Sequence, residues 1–317
     1  MVFVLGKRKV VKLPRGDGTE ISSELAGLKM QNPTMLASGI LGMSRFTLEQ
    51  VASAGAGAVV TKSICSKPEK GYPNPTIVEV DCGFLNAMGL PNPGVESYSD
   101  EIMEFRKSVN TPIVASVYGG DPEEFAYVAL KLERAGAMAI EANVSCPHAK
   151  VGSMGQDPDC VRDVTEAIKK TVRIPLFVKL NPNVTSIVEI AKSAEEGGCD
   201  GITAINTVRG MAIDIDAYLP ILGNRYGGLS GPAIKPVAIR CIYELYENVK
   251  VPLIGVGGVD SWEDAAEFLL AGASSIQIGT ALMKGLSIFN EVTTGLQRYM
   301  KKKGFKNLGE IIGRAHR

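Results

Sequence analysis

Histidine is nearly missing from this chain: there are two in 317 residues, His148 and the penultimate His316. The commonest general base is therefore scarce. With no HxH or HExxH spacing, a histidine-built catalytic metal centre is excluded as well. Cysteine is present but unpatterned. Cys65, Cys82, Cys146, Cys160, Cys199 and Cys241 form no CxxC pair, so no iron–sulfur or zinc cluster is expected within this chain. Scattered thiols in a long chain argue for a reducing compartment over a disulfide framework. Net charge is absent too. The 34 Lys and Arg balance 34 Asp and Glu, leaving no field to gather nucleic acid or an anionic membrane. The basic runs at 7–9 and 301–303 are read as solvated ends. No apolar run reaches the length of about 18 residues that a membrane helix needs, and the first residues lack the apolar core of a signal peptide. The expected location is the cytoplasm.

What is present is one alternating pattern. Short runs of β-branched and aliphatic residues, bounded by Gly or Pro, predict eight strands near 34–37, 58–62, 112–117, 137–142, 175–180, 201–205, 252–256 and 275–278. Amphipathic stretches with 3.6-residue periodicity lie between them, among them 122–135, 160–171, 187–196, 236–247 and 262–271. Continuous apolar strands indicate burial on both faces and hence a parallel sheet. Eight such units in about 250 residues match a (β/α)₈ barrel. The rival is a doubly wound dinucleotide fold, but no strict GxGxxG follows the first strand, and the GVGGV at 255–259 lies late with the wrong spacing. The chain is read as one barrel domain over 1–317, with 1–25 an appended extension and 284–317 closing helices.

A barrel does its chemistry at the C-terminal ends of its strands. Those ends read ASG (37–39), TKS (61–63), SVYGG (116–120), NVSC (143–146), KLNPN (179–183), INT (205–207), GVGG (255–258) and IGT (278–280). Lys62 and Lys179 close two strands, and Asn143 and Asn206 stand at two more. Strands seven and eight end in Gly257-Gly258 and Gly279-Thr280, where a barrel commonly holds phosphate on backbone amides. A phosphorylated ligand among lysines is a substrate or a flavin mononucleotide. Cys146, at a strand end and before a Gly/Ser-rich loop, is open to three roles: a packed filler, a nucleophile, or a proton-transfer base. His148 lies two residues on.

These stretches resemble the dihydroorotate dehydrogenases, above all the class 1B catalytic subunits of archaeal type. The matching motifs are NPTMLASG (32–39), VVTKSI (59–64), GFLNAMGLPNPG (83–94), NVSCP (143–147), FVKLNPNVT (177–185), DGITAINTVRG (200–210), GGLSGPAIKP (227–236) and the long run 252–282. The resemblance spans about residues 21–312. It implies FMN held above the strand ends. Ala37, Ser38, Lys62, Ser63, Asn143, Lys179 and Ile205 would line the flavin, while Gly231, Gly257, Gly258, Gly279 and Thr280 hold its ring edge or phosphate. Lys179 would place its charge at the flavin N1–O2 edge. Dihydroorotate would lie against Lys62, Asn86, Met88, Gly89, Leu90, Asn143, His148, Asn206 and Thr207. Cys146 takes the place of the catalytic base, removing the C5 proton while hydride leaves C6 for the flavin.

One departure stands out: the family loop reads SCPN, and here His148 replaces that Asn. SCPH is similar to the loop of dihydropyrimidine dehydrogenases, which makes dihydrouracil the alternative substrate. GFLNAMGLPNPG is the orotate-binding stretch, and it favours dihydroorotate. The resemblance also implies a homodimer, or a heterotetramer with a subunit carrying FAD and a 2Fe–2S cluster that passes electrons to NAD⁺. Without that subunit, an acceptor such as fumarate or a quinone-like molecule would react at the flavin directly.

Overall fold

The anticipated strands are dominated by Val, Ile, Leu and Ala, too short for helices and largely apolar on both faces, so they are stable only when covered on both sides. Residues 20–145 and 154–316 are described by a computed structural model. All eight strands are there: β1 (Thr34–Leu36), β2 (Ala58–Val60), β3 (Ile113–Val117), β4 (Ala139–Asn143), β5 (Leu176–Leu180), β6 (Gly201–Ala204), β7 (Leu253–Val256) and β8 (Ala273–Ile278). They pair in parallel and in chain order, and β8 pairs back onto β1 to close the barrel. Helices α1 (Arg45–Ser53), α2 (Val95–Ser108), α3 (Pro122–Arg134), α4 (Pro158–Thr171), α5 (Ile187–Glu196), α6 (Lys235–Asn248), α7 (Trp262–Ala271) and α8 (Ile288–Lys303) surround it. This is the (β/α)₈ barrel.

Local chemistry sets the helix boundaries. Ser44, Asp121, Asp157, Ser186 and Ser261 each accept a first-turn amide at the N-cap, worth about 1 kcal/mol apiece. The lysines at 301–303 fill the last turn of α8 before Gly304 in the left-handed conformation, where cations offset the helix dipole. That run is exposed, as expected. Beyond α8 lies only a short turn, Leu308–Glu310, so 284–317 holds one closing helix among the described residues. The tail is pinned by the His316 ring, stacked on Tyr243 at 3.7 Å.

Alternation along the strands sorts side chains into two cores. Leu36, Val59, Ile140, Ile202 and Ile276 face the helices. Met35, Ala58, Val60, Val114, Ala139, Phe177 and Ile254 fill the barrel interior. A hairpin of Ser23–Leu25 and Leu28–Met30 plugs the N-terminal end, adding Leu25, Leu28 and Met30 to that interior core. The stretch read as an extension therefore ends inside the barrel, because Leu25 is fully buried. Phe177 is also fully buried and lies over Gly201, where a Cβ would come within 2.9 Å of the ring. Phe177→Ala is expected to destabilise the fold by about 3–5 kcal/mol, as large-to-small changes in such cores do. Urea unfolding of the apoprotein measures it.

One element has no counterpart in the βα repeat. Ile77–Val80, Gly83–Asn86, Gly227–Ser230 and Val208–Gly210 form an antiparallel sheet. Its strands follow β2 and β6 in the chain, so it stands at the C-terminal end of the barrel, where those strands deliver it. Among the described residues no helix is long and apolar enough to cross a membrane.

Candidate active site

The inward positions of the strands lead directly to the site. Continuing the alternation of Ala58 and Val60 places Lys62 on the inner face, and Phe177 does the same for Lys179. Both lysines are buried, at 4% and 5% exposure. Among the described residues no carboxylate lies within ion-pair reach of Lys62, and burial pushes its pKa down. A buried cation without a counter-charge is costly unless a ligand supplies one. Lys179 is differently placed: its Nζ donates to Gln277 Oε1 at 3.2 Å and lies 3.6 Å from Glu141 Oε1.

A chain of hydroxyls and amides links the ends of β1 to β6. Ser38 Oγ donates to the Thr61 carbonyl (2.8 Å) and approaches Ser63 Oγ (3.4 Å), which meets Ser116 Oγ at 2.9 Å. Asn143 Nδ2 donates to Ser63 Oγ (3.1 Å), and Ser145 Oγ donates to Asn143 Oδ1 (2.5 Å). Asn206 Nδ2 donates to Asn143 Oδ1 (3.4 Å) and to Ser145 Oγ. Its Oδ1 accepts the Thr207 amide at 2.8 Å. Ser38, Ser63, Asn143, Asn206 and Thr207 are thus held in one network, and Ser145 ties the root of the following loop to it. Cys146 and His148 follow in the chain and lie outside the described residues.

The glycine ends of β7 and β8 meet where the sequence placed a phosphate site. Gly257 and Gly258 have φ of +127° and +79°, a region disfavoured for residues with a Cβ. A Cβ on Gly258 would fall 2.9 Å from the Gly231 carbonyl oxygen, and one on Gly231 would fall 3.4 Å from Thr280 Cγ2. On the β8 side, a Cβ on Gly279 would touch Ala37 at 3.4 Å. Ile205, almost fully buried, packs 3.4 Å from the Cβ position of Gly257. The amides of Gly257, Gly258, Gly279 and Thr280 donate to no acceptor among the described residues. Unspent backbone donors on adjacent strand ends form a cradle of the kind a phosphate fills. Together with two buried cations, this donor set fits a flavin mononucleotide.

The remaining predicted contacts stand on and beside the antiparallel sheet. Asn86 Nδ2 donates to the Gly228 carbonyl (3.2 Å), and a Cβ on Gly228 would overlap Thr207 Oγ1 at 2.0 Å. Gly228 thus stands between Asn86 and Thr207, which come from separate loops. Met88 accepts the Tyr72 amide, Gly89 has φ +73°, and the Leu90 carbonyl accepts from Asn92 Nδ2 at 3.0 Å. Asn92 in turn bonds Tyr118 Oη (2.9 Å) and the Cys65 thiol, which fixes this loop against the barrel.

Sequence reasoning missed Glu141, Gln277, Ser116 and Ser145. The signal for Glu141 was there: an acid in the middle of an apolar strand, at an inward position. A surface groove of about 820 Å³ lies elsewhere, on the barrel flank between Trp262 and Tyr299. None of its lining residues belongs to a strand end, so it is no part of this constellation. Three of the described thiols are poor candidates for acid–base work. Burial pushes Cys199 up to about 12 and raises Cys241 and Cys160 as well.

Comparison with known proteins agrees with this arrangement. The dihydroorotate dehydrogenase family profile matches residues 20–300. The chain is 49% identical over 309 residues to the dihydroorotate dehydrogenase B (NAD(+)) catalytic subunit of Methanosarcina mazei, covering 96% of this chain and 98% of that one. It is 52% identical to the same subunit of Methanocaldococcus jannaschii, covering 93% and 98%, and 49% identical to that of Pyrococcus furiosus, covering 94% and 99%. With half of its residues shared along nearly its full length, and the barrel's strand ends furnished as described, the chain belongs to the dihydroorotate dehydrogenase family.

Proposed function

We propose that this protein is the FMN-bearing catalytic subunit that oxidises (S)-dihydroorotate to orotate in pyrimidine biosynthesis, with its site at the C-terminal mouth of the barrel. The observation that carries this is the pairing of two buried lysines with four amides, just past β7 and β8, that find no acceptor among the described residues. Gly257, Gly258, Gly279, Thr280 and Gly231 hold the phosphate, and Ala37, Ser38, Ser63, Asn143 and Ile205 support the ring. FMN, when bound, supplies the two-electron acceptor. Lys179 holds a positive charge where negative charge develops on reduction, an interaction stronger in the transition state than before it. Lys62, with no counter-charge among the described residues, binds the substrate carboxylate. Asn86, Met88, Gly89, Leu90, Asn206, Thr207 and His148 orient the pyrimidine, and Cys146 takes the C5 proton.

Electrons then pass to a partner subunit with FAD and a 2Fe–2S cluster, and from there to NAD⁺, the acceptor named for the relatives. We infer a homodimer of this chain at the centre of that assembly. An apolar tip supports a subunit contact: Ile213, Ile215, Tyr218 and Leu219 are 58–86% exposed on one hairpin. The cytoplasm suits the five described cysteines, all of which are free.

Denaturing the purified protein and identifying the released chromophore tests the cofactor, with one FMN per chain expected; FAD, or no flavin, would overturn the reading. Anaerobic mixing with dihydroorotate and separately with dihydrouracil tests the substrate. Flavin bleaching by dihydroorotate is expected. Bleaching by dihydrouracil alone would make His148 the mark of a dihydropyrimidine enzyme.

A further inference from the structure

Glu141 is fully buried in the barrel interior, at a level where the neighbouring layer is built from Met35, Val114, Phe177 and Ile254. Packing does not ask for a carboxylate there, since layers of this kind are normally filled by branched apolar residues. Burying one costs several kcal/mol unless it is paired and hydrogen-bonded. Its Oε2 is satisfied by Gln277 Nε2 at 2.5 Å and Thr203 Oγ1 at 3.1 Å. Among the described residues its Oε1 has no hydrogen-bond partner, and it faces Lys179 Nζ at 3.6 Å. The gap is within reach of an ion pair but too long for a hydrogen bond. Gln277 bridges the two, its amide nitrogen on Glu141 and its amide oxygen on Lys179.

Register places the pair at different heights. Lys179 is level with Asn143 on β4, two residues nearer the mouth than Glu141. A ligand above the strand ends therefore meets the ammonium first and the carboxylate behind it. Among the described residues, the other inward groups near this level are Ala37, Val60, Ser116, Thr203, Val256 and Gln277, none of them ionisable. The remaining inward ionisable group is Lys62, at the end of β2.

We propose that Glu141 is a positioning residue for the flavin chemistry: with Gln277 it keeps the Lys179 ammonium charged and aimed at the mouth. The inference rests on the reading of Lys179 as the cation beside the flavin. A lysine this deep without a counter-charge gives up its proton more readily, as burial makes Lys62 do. A neutral amine would add nothing to an anionic reduced ring.

The test is the midpoint potential of bound FMN, by dye equilibration, from about pH 6 to about pH 10, a span that ends near the ordinary lysine pKa. Wild type, Glu141→Gln and Lys179→Met are compared. The Glu141→Gln potential is expected to fall away from wild type as pH rises, approaching that of Lys179→Met. The gap should widen by at least tenfold in the reduction equilibrium, about 30 mV for a two-electron couple. Profiles that run parallel across the range, at whatever offset, would overturn the proposal. If Lys179→Met matches wild type at low pH, the reading of Lys179 itself fails. If Lys179→Met shifts while Glu141→Gln stays parallel, only the role of Glu141 fails. Glu141→Asp, which keeps the charge but withdraws it by one methylene, serves if Glu141→Gln folds poorly. It should show the same widening to a smaller extent, and a parallel profile there overturns the proposal too.

Discussion

Cys146→Ser is expected to slow flavin reduction by dihydroorotate by about 10²–10⁴-fold near neutral pH, the usual contribution of a general base, while fold and bound FMN persist. A free thiol ionises near 8.5, so an appreciable fraction is thiolate close to neutrality. A serine hydroxyl is not, and its residual rate should climb toward high pH as hydroxide takes over the work. The nearby residues explain why the fold survives. The mouth network is built through Asn143, Ser145, Ser63 and Asn206. Stopped-flow reduction across the pH range separates three roles. A nucleophile would leave a trappable adduct in wild type, and a packing residue would leave kinetics near normal. Reduction at the wild-type rate throughout would refute the base.

The second large effect is at Lys179. Lys179→Ala is expected to lower the rate of flavin reduction by about 10²-fold, the cost of removing one preorganised charge-stabilising group, and to impair flavin retention less. The structure adds a second consequence. Glu141 would be left fully buried with its counter-charge gone, and breaking a buried pair from one side costs about 3–5 kcal/mol. The double variant Lys179→Ala/Glu141→Gln should therefore recover most of the lost stability and none of the lost rate. Urea unfolding and single-turnover reduction, measured side by side, check both halves. Recovery of rate in the double variant would show that Lys179 acts through stability and not through charge.

The sequence by itself determined the barrel and the roster of strand ends, because both are written in short-range pattern. A run such as Leu176–Leu180 is too apolar and too short to be stable unless covered on both faces. Periodicity in stretches such as Ile187–Glu196 supplies the covering helices. The order of these units then closes the barrel with few alternatives, since parallel βαβ connections take one hand. Polar residues at the last position of each strand become a site as soon as the strands run parallel. That is why Lys62, Asn143, Lys179 and Asn206 could be named in advance.

Only the tertiary structure decided what those residues touch. Asn86 and Gly228 are 142 positions apart, and no local rule pairs the loop after β2 with the loop after β6 into one antiparallel sheet. Leu25 reads as part of an appended extension and becomes core because the hairpin folds back under the barrel. Glu141 and Gln277 are 136 positions apart, and nothing local in either strand pairs them. They meet Lys179 because closure turns alternate residues of three different strands inward at nearby heights. Side-chain alternation is local and can be read along the chain, whereas the height at which inward residues meet depends on the stagger of the closed barrel.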